Sequence, residues 1–430
     1  MLYYKVMSIR STNIYIWRYI MTISFALLNE QGIVVAADPA IKNKFGVYTE
    51  NRSKIIEITP NHSICIIVYN NYNYYNVSLE SIVQLYRTEM NGVYFDHTNI
   101  YFNDFINFVG EKLFKSFNLN GQEEKFIQNI ITEKLKQLEN FLIDTEGMVI
   151  EKYHLTSQNK ITEAVLAYGE KSLDIELREL EKKVFLEGFS GDDELDLVGK
   201  YEDYIINYVK NEFIYFEESW LYKVVSIIVQ HLLKTLSHDK IGIAVAGYGK
   251  KDLFPSIYKI EFDGKVNGKL RYDDYVPMQI SVDNPATALV LTNTKKISNI
   301  ISGIDQELEE ELYKTLTKNT SLHMNKLLKK LQEIAPENNE IYSMLNYETR
   351  KFMYGLKDNV EKIKVNHYNK PFMELLNNRS VDELTYIAEL LMHAELFGNE
   401  MTSDFDRNDV LYNIASITKT DNFVRRRMNE

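Results

Sequence analysis

Three side chains near the start of the chain have types and a spacing that suit nucleophilic catalysis. Thr22 carries a hydroxyl, Asp38 follows it by 16 residues, and Lys54 follows Asp38 by another 16. A threonine hydroxyl is a poor nucleophile at its own pKa, so a neighbouring group must remove its proton before it attacks. A hydroxyl, a carboxylate and an ammonium group are side chains that such chemistry can use.

The segments around these residues predict strands that would position them. Two apolar runs joined by a polar turn ending in Gly32 are typical of a β-hairpin, and Asp38 ends the second run. Lys54 begins a third predicted strand, and a fourth ends just before Asn70. The strands are expected at 22–28, 33–38, 54–59 and 63–69.

These motifs resemble those of the proteasome β subunits and their bacterial HslV relatives. The run from Gly32 to Asp38 and the run from Lys54 to Ile58 fit the two family motifs without a gap. Residues 243–248, followed by 254–264, fit the family's strand, Gly-Tyr turn and second strand. The resemblance covers residues 21 to about 90 and 218 to about 305, with a weaker match at 368–419.

The resemblance implies that Thr22 is the first residue of the mature chain and that its own α-amino group is the base. A free α-amino group has a pKa of about 8. A nearby Lys54 ammonium would lower that pKa by like-charge repulsion, and Asp38 would hold the lysine. A backbone N–H, expected at Asn70, would stabilise the oxyanion, a contribution of about 3–4 kcal/mol.

Residues 1–21 must then be absent from an active protein, as a leader, a propeptide or a misassigned start. They lack the apolar core and cleavage site of a secretory signal.

Three features differ from the family pattern. Asn70 replaces a glycine after the fourth strand, but asparagine tolerates left-handed backbone geometry and remains the expected oxyanion-hole residue. Residues 291–295 replace a Gly-Ser-Gly turn and offer threonine hydroxyls instead. Asp406 lies within one residue of a third acidic position of the family, in a segment without the family's glycines.

The expected fold is α+β, a four-layer αββα sandwich of the N-terminal-nucleophile (Ntn) hydrolase, proteasome-like type, with two charged helical insertions. A helix is expected at 285–303. The predicted divisions are a leader at 1–21, core segments at 22–118 and 218–304, helical insertions at 119–217 and 305–367, a closing helix and strand at 368–419, and a basic tail at 420–430.

Composition narrows the function classes. The net charge of −12 argues against nonspecific nucleic-acid binding, and no apolar run approaches the ~18 residues of a membrane span. The single cysteine, Cys65, cannot form an intrachain disulfide and is expected to be a small buried hydrophobe. The histidines lack ligand spacing, so no metal and no cofactor are expected, and the protein is expected to be cytoplasmic.

The sequence therefore predicts a threonine-type hydrolase that cleaves peptide bonds in peptide or protein substrates. Self-association, with a ring as one arrangement, is expected through helices at 78–90 and 103–117, and the sequence does not identify an ATPase partner. Two alternatives stay open. One is a catalytically inactive scaffold or sensor that acts through its insertions, and the other is a small-molecule amidase of the same fold.

Overall fold

A computed structural model of the protein describes residues 23–38, 41–42, 48–49, 53–58, 63–116, 121–153, 157–273, 275–292, 294–334, 339–400 and 412–428. Within these ranges the protein belongs to the mixed α+β class, and its sheets are antiparallel. Thr22 and Asp406 lie outside the described residues.

Two large sheets carry most of the strands. The strands are β1 (Ser24–Asn29), β2 (Gly32–Ala37), β3 (Ile41–Lys42), β4 (Tyr48–Thr49), β5 (Ile55–Glu57), β6 (Ile64–Asn70), β7 (Asn73–Tyr74), β8 (Val77–Ser78), β9 (Ile241–Gly247), β10 (Ser256–Val266), β11 (Lys269–Tyr272), β12 (Val276–Gln279), β13 (Ala286–Val290), β14 (Tyr412–Thr418) and β15 (Asn422–Met428). The first sheet has the order β13-β1-β2-β14-β15. The second has the order β11-β10-β9-β6-β5, with β12 also paired to β10.

The inner faces of the two sheets share one hydrophobic cluster. It joins Val35 and Ala37 of β2 to Ile67 of β6 and Ala244 of β9, all fully buried. Cys65 lies in the same cluster, where burial raises the pKa of its thiol. Alternate residues of these strands point to opposite faces, so the neighbouring residues Val34 and Ile66 serve the clusters on the outer faces.

Helices cover the outer face of each sheet. The helices are α1 (Leu79–Met90), α2 (Thr98–Asn107), α3 (Leu113–Ser116), α4 (Gln122–Tyr153), α5 (Gln158–Lys182), α6 (Gly191–Glu212), α7 (Leu221–Lys234), α8 (Lys295–Ser302), α9 (Gln306–Ile334), α10 (Asn339–Lys364), α11 (Lys370–Asn377) and α12 (Val381–Glu400). A π-helical turn, Phe108–Lys112, joins α2 to α3. Helices α1 and α2 pack on the second sheet, whereas α8, α11 and α12 pack on the first.

The long segment between the two halves of the second sheet forms a helical bundle. Helices α4, α5 and α6 share a hydrophobic cluster with α7, centred on residues such as Leu135, Leu197 and Ile228. Trp220 is buried there, and Gly169 makes room for its ring, because a Cβ atom at Gly169 would lie 2.5 Å from the indole. The bundle therefore has its own core, and α7 belongs to that core.

Two expectations from the sequence differ from the structure. Residues 285–303, expected as one helix, contain strand β13 and then the short helix α8, because Ala286–Val290 pair antiparallel with β1 along the edge of the first sheet. Most of the expected basic tail forms β15, which pairs with β14 along its whole length and makes the edge of the first sheet. The three arginines at 425–427 led to the prediction of a basic tail instead of a strand. Charged residues are nevertheless common on edge strands, where they discourage pairing with further strands.

Candidate active site

A buried ion pair joins the two predicted site residues that the structure describes. The Nζ atom of Lys54 donates a hydrogen bond of 2.5 Å to Oδ1 of Asp38, and the two side chains are 3% and 7% exposed. Asp38 directly follows β2 in the first sheet, and Lys54 directly precedes β5 in the second. The pair thus links the two sheets at one end of the strands.

Backbone hydrogen bonds fix both members of this pair. The N–H of Asp38 donates to the carbonyl oxygen of Ile23 at 3.0 Å, and the N–H of Val68 donates to the carbonyl oxygen of Lys54 at 2.8 Å. Ile23 is itself buried. Ile23, which follows Thr22 in the chain, is therefore hydrogen-bonded through its backbone to Asp38, the residue that pairs with Lys54.

Asn70 lies at the same end of the second sheet as Lys54. Because Val68 pairs with Lys54, Asn70 is two residues beyond that pair, at the last position of β6. Its φ is 61°, the left-handed geometry that asparagine accepts more readily than most residues. Its side-chain amide donates to Oε1 of Glu261 at 3.0 Å, so the side chain reaches past β9 and is held by strand β10.

A threonine turn lies against the start of β1. The N–H of Ser24 donates to Oγ1 of Thr292 at 2.9 Å, and the N–H of Leu291 donates to the carbonyl oxygen of Ser24 at the same distance. Thr294, also in this turn, is fully buried. The sequence predicted that threonine hydroxyls of 291–295 would support Thr22. In the structure, the Thr292 hydroxyl contacts Ser24, which is two residues after Thr22 in the chain.

Glu395, which the sequence did not single out, lies against the start of α8, just after the threonine turn. It is fully buried, and its carboxylate accepts hydrogen bonds from the N–H groups of Lys295 at 3.1 Å and Ile297 at 2.9 Å. An acidic side chain is stabilised at a helix N-terminus, here that of α8. The signal was available, since Glu395 occupies a core-facing position of α12 among Leu391, Met392 and Leu396.

A cavity of about 630 Å³ opens near Asn70. Tyr69 and Glu261 line it from the second sheet, and residues 183–187 line it from the loop after α5. Glu261 also pairs with Lys240 at 2.5 Å. The helical bundle therefore supplies one wall of this pocket, and β6, β10 and β12 supply another. Asp38, Lys54 and Asn70 do not line it.

Two sequence comparisons, one with protein-family models and one with curated proteins, found no match. Over the part of the chain that the structure describes, no helix is long and apolar enough to cross a membrane. The same described residues contain no group of three histidine, cysteine or acidic side chains placed to hold a metal ion.

Proposed function

We propose that this chain is a threonine-type Ntn hydrolase that cleaves peptide bonds in a proteasome-like αββα fold. Thr22 is the nucleophile in this proposal, and its own α-amino group is the base. Lys54 favours the neutral amine, Asp38 holds Lys54, and the backbone N–H at Asn70 stabilises the oxyanion. The packing of helices, two sheets and helices in successive layers supports the fold part of the proposal.

The observation that carries the proposal is the buried Asp38–Lys54 pair. Removing two charges from water costs free energy that their attraction offsets only in good geometry, so a buried ion pair is a poor way to stabilise a fold. Here the pair has a short contact of 2.5 Å, and Asp38 is bonded to Ile23, the neighbour of Thr22. A charged pair at this position suits a catalytic role better than a packing role.

The proposed reaction has two steps, acylation of Thr22 and hydrolysis of the resulting ester. The Thr22 oxygen attacks the substrate carbonyl carbon while the α-amino group takes the hydroxyl proton, which then passes to the departing amine. Water next attacks the resulting ester and releases the carboxylic acid, and the hydroxyl recovers its proton. Each step requires a free amino group at Thr22.

A small-molecule amidase is the second candidate, and the cavity near Asn70 favours it. Its volume of about 630 Å³ lies within the range of about 300–1,000 Å³ that is typical of small-ligand pockets. The loop at 183–187 forms one side of this cavity, and a cavity of this size suits a compact substrate better than an extended chain.

The test combines an intact mass with an assay. The full chain is expressed, its N-terminus is determined by mass spectrometry, and hydrolysis of a fluorogenic peptide panel and of short acyl amides is measured. We expect an N-terminus at Thr22 and turnover that disappears in Thr22→Ala. Full activity in protein that still begins at Met1 would contradict the assignment, as would equal turnover in Thr22→Ala.

A further inference from the structure

The second helical insertion is a two-helix hairpin whose described residues have little burial. Helices α9 and α10 have 29 and 26 residues, and neither contains a fully buried residue among those described. Their mutual contact includes an ion pair of 2.9 Å between Lys364 and Glu309, and a contact between Thr349 and Met324. The half-exposed residues along this seam are Glu309, Tyr313, Thr320, Met324 and Leu328 in α9, and Leu345, Thr349, Met353, Leu356, Val360 and Lys364 in α10.

One flank of this hairpin is apolar. Six large apolar residues directly precede seam residues, so each lies about 100° from the seam, and in an antiparallel pair those positions fall on the same side of both helices. Phe352 is 63% exposed, and Leu308 and Ile363 are each 54% exposed. The six residues are Leu308, Leu312, Leu327, Met344, Phe352 and Ile363.

The opposite flank is mainly polar. In α9, the residues that directly follow the seam positions are all charged or polar: Glu310, Lys314, Ser321, Asn325 and Lys329. The apolar flank of α9 runs from Leu308 to Leu327, about 28 Å along the helix. Polar residues interrupt this flank at Asn319 and His323 in α9 and at Glu348 and Asn359 in α10. The six exposed apolar side chains on one flank are nevertheless the kind of surface that marks an interaction site.

The charge distribution along α9 identifies the occupant. Its first turns carry Glu307, Glu309, Glu310 and Glu311, whereas residues 312–332 contain no acidic residue and five lysines. A second α9 lying antiparallel to the first would place the acidic end of each helix against the basic end of the other. A parallel arrangement would place like charges together, which opposes association.

We propose that the α9–α10 hairpin is a homodimerisation arm: two copies pack their apolar flanks antiparallel about a twofold axis and form a four-helix bundle. Contact between identical surfaces is what a twofold interface requires. In this arrangement Glu311 of one copy faces Lys326 of the other, and the pair occurs twice. The arm extends beyond the proposed hydrolase function and does not depend on it.

The first test measures mass in solution. Light scattering of the full chain at micromolar concentration is expected to give twice the 50.4 kDa of one chain. The variant Leu312→Glu/Phe352→Glu, which places charges on the apolar flank, is expected to be a monomer with an unchanged circular dichroism spectrum. The control Ser321→Glu/Asn325→Glu alters the polar flank of the same hairpin and is expected to remain a dimer.

The second test separates a second copy from any other partner. Glu311→Lys and Lys326→Glu are each expected to weaken the dimer at least tenfold at low salt, and the double variant is expected to recover most of its affinity. A monomeric wild type would overturn the proposal. A dimer that survives Leu312→Glu/Phe352→Glu would overturn it as well, because the contact would then lie elsewhere on the molecule. Failure of the double variant to recover would overturn the antiparallel arrangement.

Discussion

Lys54 and Asp38 form the contact on which the proposed chemistry depends, and because the pair is buried, removing only one partner is expected to destabilise the fold. Lys54→Met leaves the Asp38 carboxylate buried without its cation, which is expected to cost about 3–5 kcal/mol in the free energy of unfolding. Replacing both residues, as Asp38→Leu/Lys54→Met, is expected to recover most of that loss. Denaturant unfolding of the three proteins gives the stabilities.

The same variants separate catalysis from folding. If Lys54 tunes the Thr22 amine, turnover must be lost in both the single and the double variant, even though the double variant is stable. Turnover that returns together with stability in the double variant would show that the pair has a structural role only.

Asn70 adopts a backbone geometry that glycine accepts without cost. Asn70→Gly and Asn70→Ala both lose the exposed hydrogen bond to Glu261, so their difference isolates the effect of the positive φ. We expect Asn70→Ala to be less stable than Asn70→Gly by about 1 kcal/mol, because a Cβ atom disfavours left-handed geometry. Equal midpoints in urea for the two variants would mean that the backbone at 70 is not left-handed.

The contacts of the candidate site were predictable from the sequence where spacing along the chain carries information, and not where a contact comes from tertiary packing. The positions of Asp38 and Lys54 at two adjacent strand ends followed from the hairpin and the next strand. Glu395 reaches α8 from α12, across a separation of 98 residues to Ile297, and no local pattern specifies that hydrogen bond. Thr22 and Asp406 remain predictions, since they lie outside the described residues.

At the scale of elements, helix α7 buries a histidine whose protonation is coupled to the stability of the fold. His231 lies on α7, and burial, followed by the charges of Lys134, Arg271, Lys183 and His238, lowers the pKa of its imidazole to about 3. The unfolded chain, with a histidine pKa of about 6.5, takes up a proton that the folded chain excludes. This contribution to stability is complete above about pH 6.5 and is lost as the pH falls from about 6.5 towards 3.

We therefore expect His231→Gln to flatten the acid side of the stability profile. Between pH 7 and pH 4 the melting temperature of the wild type should fall by more than that of the variant. Thermal melts at several pH values in one buffer series measure this difference. Parallel curves for the two proteins would mean that His231 is protonated in the folded state as readily as in the unfolded chain.

Helices α1 and α2, through which self-association was expected, use their apolar faces within their own chain. The buried residues of α1 and α2, such as Ile82, Tyr86 and Phe105, pack against the second sheet of the same chain. The outward positions of α1 include Gln84, Thr88 and Glu89. Self-association remains a prediction. We now expect it through α9 and α10, because exposed apolar side chains lie on these helices.

At the scale of the whole molecule, the α9–α10 arm is expected to be separable from the rest. The chain enters and leaves the arm at nearly the same place, since Gly303, just before α9, lies against the ring of Tyr368, just after α10. Replacing 306–364 by a short Gly/Ser linker should change the free energy of unfolding by less than about 1 kcal/mol, since few buried contacts are removed. The shortened protein should be a monomer. A large loss of stability would place the arm within the cooperative core.

The α+β class and the approximate positions of several strands followed from the sequence because apolar runs are local features, whereas strand order is not. The short apolar runs at β1, β2, β6 and β9, bounded by polar turns, predicted strands at nearly the observed positions. The insertion of β14 between β2 and β15 brings the last strands of the chain beside one of the first, and only the tertiary fold determines that pairing.

The most direct test of the central claim is covalent labelling of Thr22. An α′,β′-epoxyketone can react with both the hydroxyl and the amine of an N-terminal threonine, so it reports both groups at once. Protein whose N-terminus is confirmed at Thr22 is incubated with the probe and digested, and the adduct is located by mass spectrometry. The account predicts one adduct, on Thr22, that is absent from Thr22→Ala and from Asp38→Leu/Lys54→Met. No adduct in either the wild type or Asn70→Gly, with both N-termini confirmed at Thr22, would contradict it.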